Sequence, residues 1–226
     1  MGNPIEQFLN QIIINALPSI NKGIQSGIKS AHLDPWGQVA NGSDVLGSIN
    51  LGICHASATA DYSITNMRGL SSFTIESLEI VSVQPNASDP SKLDGTIAMN
   101  ARFGSSLETN LGGSIEAKCG FIHPHVGISG NVEVTSVSAS ATGTFNASTT
   151  KGKVCMDTVT VSGFNVNYGN INIHINGLGI FNVFLKPLED LITNILKGKI
   201  RSAITSAIKS AVNNEIKKEF PKCTNI

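Results

Sequence analysis

The chain has 226 residues, 41% of them apolar and only 14% charged, so it can bury a large core and does not read as a disordered polymer. Its 16 basic and 16 acidic side chains cancel, which removes the whole-chain field that draws proteins to nucleic acid. No run approaches the roughly 20 apolar residues a membrane-crossing helix requires.

The opening stretch "MGNPIEQFLNQIIINALP" lacks the basic start and unbroken apolar run of a signal peptide, and the sequence reads as a mature form. Ile5, Leu9, Ile13 and Leu17, then Ile20, Ile24 and Ile28, recur at helical spacing. They predict an amphipathic helix with a kink or break near Pro18. Asp34-Pro35 stops this helix, because the residue before a proline disfavours helical backbone. The single tryptophan, Trp36, follows at once. It reads as a plug for one end of a rolled sheet or an anchor for the loop, with membrane contact the weaker reading.

Period-two alternation then takes over, at Ile49/Leu51/Ile53, at Ala56/Ala58/Ala60/Tyr62/Ile64 and at Ile97/Met99/Ala101/Phe103. Leu107, Leu111 and Ile115 continue it, and Gly104-Ser105-Ser106 predicts a hairpin between these last two strands. Val132/Val134, Val137/Ala139/Ala141, Val159/Val161, Phe164/Val166/Tyr168 and Ile171/Ile173/Ile175 follow. The parity of the pattern changes several times, which predicts bulges or bends in long strands and a strongly curved antiparallel sheet. Outward positions such as those of "NVEVTSVSASATGTFNAS" are Ser, Thr, Asn and Gly, as suits one wet face. Helices at the chain ends with strands between them give an α+β class, and no shift in composition divides residues 1–226 into more than a single domain.

The last segment carries an apolar residue at every fourth position: Ile192, Leu196, Ile200, Ile204, Ile208, Val212, Ile216 and Phe220. In an α-helix a step of four overshoots a full turn by about 40°, so the stripe spirals. Leu188, Leu191, Ile195, Ala203, Ala207 and Ala211 widen it. A curved sheet wrapped obliquely around a helix follows such a spiral. From Lys186 to Lys222 eight basic residues face four acidic ones. This excess reads as a solvated face near a helix C-terminus, and alternatively as a weak surface for anions or lipid head groups.

Cys54, Cys119, Cys155 and Cys223 are an even number with no Cys-x-x-Cys pair, which predicts two disulfides. Asn41, Asn86 and Asn146 open Asn-x-Ser sequons in segments that read as loops. Cysteines and sequons together point to a secreted glycoprotein. Nothing resembles a Gly-x-Ser-x-Gly elbow or the setting of a cysteine nucleophile, so the sequence does not read as an enzyme. His123 and His125 in "FIHPHVG" would make half of a metal site, but no further ligand stands at a recognisable spacing. They read as a polar loop, and no metal is predicted. His174, out of phase with Ile173 and Ile175, reads as facing solvent or a neighbouring backbone.

Three stretches carry a family resemblance: "INKGIQSGIKSAHLDPW", "ITNMRGLSSFTIESLEI" and "INIHINGLGIFNVFLKPLEDLITNIL". Their order, with strands between a Gly-Leu-x-x-Phe and a His-x-x-Gly-Leu, resembles the tubular lipid-binding superfamily over nearly the whole chain. Within it the chain is most similar to the group 7 mite allergens and their arthropod relatives, and more distantly to the bactericidal/permeability-increasing and juvenile-hormone-binding families. The resemblance implies a superroll, a curved antiparallel sheet around the long C-terminal helix with the N-terminal helix beside it. It implies an apolar cavity for a lipid, terpenoid or carotenoid, with no required cofactor. Phe8, Leu9, Ile12, Ile13, Met99, Phe103, Phe181, Phe184, Leu188, Leu191, Ile192 and Ile195 are the candidate lining. By likeness to the bactericidal branch, Cys119 would pair with Cys155, and Cys54 then with Cys223. The alternative function is an innate-immune or surfactant protein that meets bacterial lipid or an interface, through peripheral contact with lipid.

Overall fold

The computed structural model describes residues 4–50, 54–150 and 152–225. Helix α1 (Pro4–Ser30) buries Leu9, Ile12, Ile13, Ala16, Ile20, Ile24 and Ile28 along one face. It runs through Pro18 without the expected break. Proline removes the bond to the carbonyl four residues earlier, and that residue, Ile14, is 57% exposed, so the freed carbonyl belongs to the solvent side of the helix.

Among the described residues ten strands follow: β1 (Trp36–Asn50), β2 (His55–Arg68), β3 (Phe73–Pro85), β4 (Lys92–Phe103), β5 (Leu107–Lys118), β6 (His125–Val134), β7 (Ser138–Thr150), β8 (Lys153–Asn167), β9 (Ile171–Asn176) and β10 (Lys222–Asn225). They pair antiparallel throughout in two five-stranded sheets. Sheet A has the order β1-β2-β5-β6-β9 and sheet B the order β10-β8-β7-β4-β3. Leu51 and Ile53 lie outside the described residues.

The predicted hairpin at Gly104-Ser105-Ser106 is not one: β4 belongs to sheet B and β5 to sheet A. The chain crosses between sheets there, and again from β2 to β3, β6 to β7 and β8 to β9. These four crossings sit side by side. The Gly104 N–H donates to the Ser72 carbonyl (3.1 Å), Phe103 N–H to Val137 (3.1 Å), Thr135 N–H to Asn170 (2.9 Å) and Gly169 N–H to Thr135 (3.1 Å). Four long strands therefore bend together along one line, and the bends expected from the changes of parity are concentrated at this waist. A short link with glycine signals a change of direction, but not whether the chain reverses or continues into another sheet.

The two Gly-Leu pairs hold bends of the same design. Gly69 has φ +96°, and a Cβ there would lie 2.4 Å from the Ser106 carbonyl oxygen. Gly177 has φ +94°, and its Cβ would lie 2.3 Å from that of Gly127. Only glycine fits either place. Each is followed by a buried leucine, Leu70 or Leu178, and by a 3-10 turn (Leu70–Ser72, Gly179–Phe184). Asp34 braces the first bend, accepting from the N–H groups of Gly69 (3.2 Å) and Ser71 (2.7 Å) and from the Ser71 hydroxyl. Trp36 pairs with Met67 in the same region, so it anchors the loop at the waist and does not plug an end.

The closing helical run comprises α2 (Leu185–Ala203), a π turn (Ile204–Ile208) and α3 (Lys209–Glu219). All eight residues of the fourfold stripe are buried. Each large aliphatic chain removed from water contributes about 1.5 to 3 kcal/mol before entropy costs. The π turn holds more residues per turn, so there a step of four falls short of a full turn and sets back the spiral. Thr205 and Ser206 donate to the carbonyls of Arg201 and Ser202 across this widened turn. Lys197, Lys199, Arg201, Lys217 and Lys218 are exposed on the opposite face. The helix is thus lined on one side by the sheets and solvated on the other.

All four cysteines are oxidised, but as Cys54–Cys119 and Cys155–Cys223. The implied Cys119–Cys155 and Cys54–Cys223 pairings fail for a topological reason. Cys119 follows β5 at the far end of sheet A, whereas Cys155 lies near the start of β8 at the far end of sheet B, with the waist between them. Cys223 is the direct register partner of Cys155.

The sequons also depart from expectation. Asn86 lies in a loop, but Asn41 is in β1 and Asn146 in β7. The side-chain amides of Asn86 (2.7 Å) and Asn146 (2.6 Å) both donate to Asp94. Alternating Ser, Thr and Asn around Asn146 are the wet face of a strand, which composition alone resembles a loop.

Candidate functional site: the apolar interior along the C-terminal helix

The α+β class and the rolled antiparallel sheet stand. Buried apolar side chains from both sheets and all three helices form one contiguous cluster. Thr109 is the buried polar residue among those described, and its hydroxyl donates 2.7 Å to the Thr65 carbonyl. Among the described residues no buried side-chain nitrogen or oxygen lacks a partner. Such an interior offers surface to apolar molecules and almost no polar handles.

The waist divides the twelve candidate lining residues. Phe8, Leu9, Ile12 and Ile13 belong to α1, which packs on β3, β8 and α3, and Met99 and Phe103 face inward from β4. That group fills the sheet B half. Phe103 stacks edge-on against Phe73 with ring centroids 5.4 Å apart, a contact that closes the waist. Phe181, Phe184, Leu188, Leu191, Ile192 and Ile195 instead lie where α2 packs on β1 and β9, in the sheet A half. Both groups belong to the one contiguous core and lie toward opposite halves of it. Spacing identifies the inward face of each element, but not its position along the roll.

The two halves are closed differently. In the sheet B half, α1 and α3 together fill the space between edge strand β3 and the part of β8 that extends beyond β10. Asn21 of α1 accepts from the Ile75 N–H (2.8 Å) and donates to its carbonyl (3.0 Å). Asn213 of α3 does the same to Val161 (2.8 and 2.9 Å). In the sheet A half α2 alone lies between the edges β1 and β9. Its Lys186, Glu189 and Thr193 side faces β9 across a groove of about 460 Å³, whose floor includes Ile171 and Ile173. His174 lines the same groove and is exposed, as expected.

By helical geometry Leu191 and Ile195 occupy the other flank of the buried Leu188–Ile192–Leu196 row, the flank turned to β1. They stay half-buried, as does Leu46 of β1, while Leu188, Ile192 and Leu196 are closed off. Along this seam between α2 and β1 the apolar side chains pack on the core and keep part of their surface in water. The inward face of β2 presents Ala56, Ala58 and Ala60, short side chains that are fully buried. The run of alternating alanines was the sequence signal for this feature.

Charge lies at the rim. Lys186 donates to Asp190 at 2.7 Å, and that hydrogen bond holds its ammonium above the ordinary lysine value. Tyr168 donates 2.7 Å to the Lys197 carbonyl near the waist, and burial pushes its phenol up. His123 Nδ1 lies 3.1 Å from Glu116 Oε1 on the outer surface. Among the described residues no group of three His, Cys, Asp or Glu side chains could hold a metal ion, and no helix is long and apolar enough to cross a membrane.

A family model described as Group 7 allergen matches residues 109–216, from β5 to α3. The chain is similar to that family over this segment. No curated protein matches. Among solved structures, one similar fold is a lipopolysaccharide binding protein, at 14% identity and a TM-score of 0.42, over 85% of this chain and 38% of the other. The chain therefore spans well under half the length of that protein. Another is Takeout 1 of Epiphyas postvittana, at 11% identity and a TM-score of 0.34, over 94% of this chain and 92% of the other.

Proposed function

We propose that this chain, similar to the group 7 allergens over residues 109–216, is a secreted single-domain carrier that holds an elongated hydrophobic molecule between sheet A and α2. The half-open apolar seam at Leu191, Ile195 and Leu46 carries this reading. An extended aliphatic guest would enter there and displace water from surface that the protein leaves uncovered. Burial of apolar area drives such binding at about 25 cal/mol per Å², before the costs of immobilisation. Low aromatic content, 5%, favours a flexible chain such as a lipid or terpenoid, or a carotenoid polyene, over a stacked planar ring. The protein needs no catalytic residue or cofactor for this task, and the two disulfides suit an extracellular carrier.

Native mass spectrometry of protein from its natural source, with solvent extraction and an absorption spectrum, tests the proposal. Co-purification of an apolar molecule, or loading by an added long-chain fatty acid, supports it. Failure of every apolar probe to load overturns it. The alternative, a surface or immune protein that meets bacterial lipid or an interface, draws on the apolar side chains exposed at one end of the molecule.

A further inference from the structure

Cys119 and Ile122 exchange backbone hydrogen bonds, N–H to carbonyl at 3.0 Å and 3.1 Å, around a two-residue turn at the far end of sheet A. Gly120 supplies the left-handed conformation such a turn requires, with φ +63°. At its apex Phe121 is 100% exposed, and Ile122 beside it is 60% exposed. The Cys54–Cys119 disulfide ties the base of this turn to the start of β2. A fully exposed phenylalanine on a loose loop could fold back against the protein. Here the turn and its staple hold the side chain out.

The 3-10 segment after β9 stands at the same end, because Gly177 lies against the Gly127 carbonyl near the start of β6. It exposes Ile180 by 81% and Val183 by 59%. Among the described residues, the other large apolar side chains as exposed as these are Ile14, Val45 and Val81, which lie elsewhere on α1, β1 and β3. Behind the apolar apex stands a ring of ionisable groups. His55 begins β2, Lys118 and His123 flank the turn, and His125 is the register partner of Glu116. Glu116 contacts His123 and Lys118 in this ring, while Lys186 and Glu189 at the start of α2 line the groove with Glu133 and His174.

The geometry points to a lipid anchor: Phe121 and Ile122, with Ile180 and Val183, enter the acyl boundary of a bilayer while His55, Lys118, His123 and His125 behind them lie at the level of the head groups. Apolar side chains at the apex and polar, ionisable ones one step behind match the order of layers in a membrane interface. The inference rests on the carrier reading, since α2 and its seam begin at this end and a guest would pass directly between bilayer and interior.

Co-sedimentation of the full chain with phosphatidylcholine vesicles tests the anchor. Wild-type protein is expected to bind, and Phe121→Ser, which removes no contact within the protein, should bind about tenfold less. Equal binding by Phe121→Ser and wild type, or no vesicle binding by wild type, overturns the anchor. Uptake of a fluorescent fatty acid from vesicle-free solution separates the two readings. Uptake without vesicle binding refutes the anchor alone, and vesicle binding without uptake refutes the carrier alone.

Discussion

The side-chain amide of Asn213 acts as one more residue of the sheet for Val161. It accepts from the Val161 N–H at 2.8 Å and donates to the Val161 carbonyl at 2.9 Å. Val161 lies on β8 beyond the short β10, which covers only Lys153 to Met156, so its outward backbone groups have no strand beside them. Asn21 treats Ile75 on edge strand β3 in the same way. Helices thereby close both exposed edges of sheet B, which would otherwise invite pairing with another chain.

Replacing either asparagine with leucine keeps the volume and strands a partly buried donor and acceptor. Each substitution is expected to cost about 2 to 4 kcal/mol. Urea denaturation of Asn213→Leu and Asn21→Leu checks this. A loss under about 0.5 kcal/mol in both would mean water replaces the amides without penalty.

Much of this architecture was legible because periodicity reports which face of an element is inward. The Ile192-to-Phe220 stripe is buried at every position, and Ala56, Ala58 and Ala60 all face in. What periodicity omits is where an element lies along the roll. Gly104 resembles a reversal and is a crossing, and Leu9 and Leu188 read as one lining yet fall in different halves. The amide clamps left no signal, since a lone Asn in a helix looks like any solvated residue. The bent waist is a collective feature of four chain segments far apart in sequence, each of which alone reads as a turn.

Disulfide connectivity gives a direct check on this topology. Non-reducing peptide mapping should recover Cys54 linked to Cys119 and Cys155 linked to Cys223. Each closes a loop of similar size, with separations of 65 and 68 residues. Removing the second bridge by Cys155→Ser/Cys223→Ser should cost about 2 to 4 kcal/mol and release β10. A Cys119–Cys155 peptide would require the ends of the two sheets to meet and would refute the strand order.

Glu219 predicts how acid acts on the sheet B half. Hydrogen bonds from Lys222 and then Ser19 hold its carboxyl below the ordinary value and join α3 to β10 and α1. A depressed carboxylate contributes its stability fully above the unfolded-state value and loses it as pH falls through the folded one. Stability should therefore decline on acidification through the carboxylate range, and Glu219→Gln should flatten part of that decline while costing less than about 1 kcal/mol at neutral pH. Denaturation midpoints across pH for the two proteins measure the difference, and parallel curves would show that Glu219 has no part in it.

Sequon occupancy should follow the strands. Asn146 lies on central strand β7 with its amide donating to Asp94 and its carbonyl oxygen accepting from Thr158 at 2.8 Å. Asn86 donates to the same carboxylate from a loop, and Asn41 is exposed on edge strand β1. A glycan at Asn146 would displace groups on three paired strands. Glycopeptide mapping of protein secreted from a eukaryotic host should find Asn41 and Asn86 modified more fully than Asn146, and full occupancy of Asn146 alone would contradict this ranking.

The seam beside α2 yields the most specific expectation for binding. Leu191 and Ile195 are half-buried, so exchanging both for glutamine leaves no cavity and costs the fold little, but it makes one wall of the seam polar. If a guest lies between α2 and β1, it loses contact with two aliphatic side chains. The affinity of the Leu191→Gln/Ile195→Gln variant for a long-chain fatty acid should fall about tenfold or more. Ile14→Gln, at an exposed position on α1 in the other half, serves as the control and should bind as wild type. Fluorescence titration with thermal denaturation in parallel separates a lost site from a lost fold. Unchanged affinity in the double variant, with unchanged stability, would move the guest away from this seam. A matching loss in Ile14→Gln would move it toward α1 and the sheet B half.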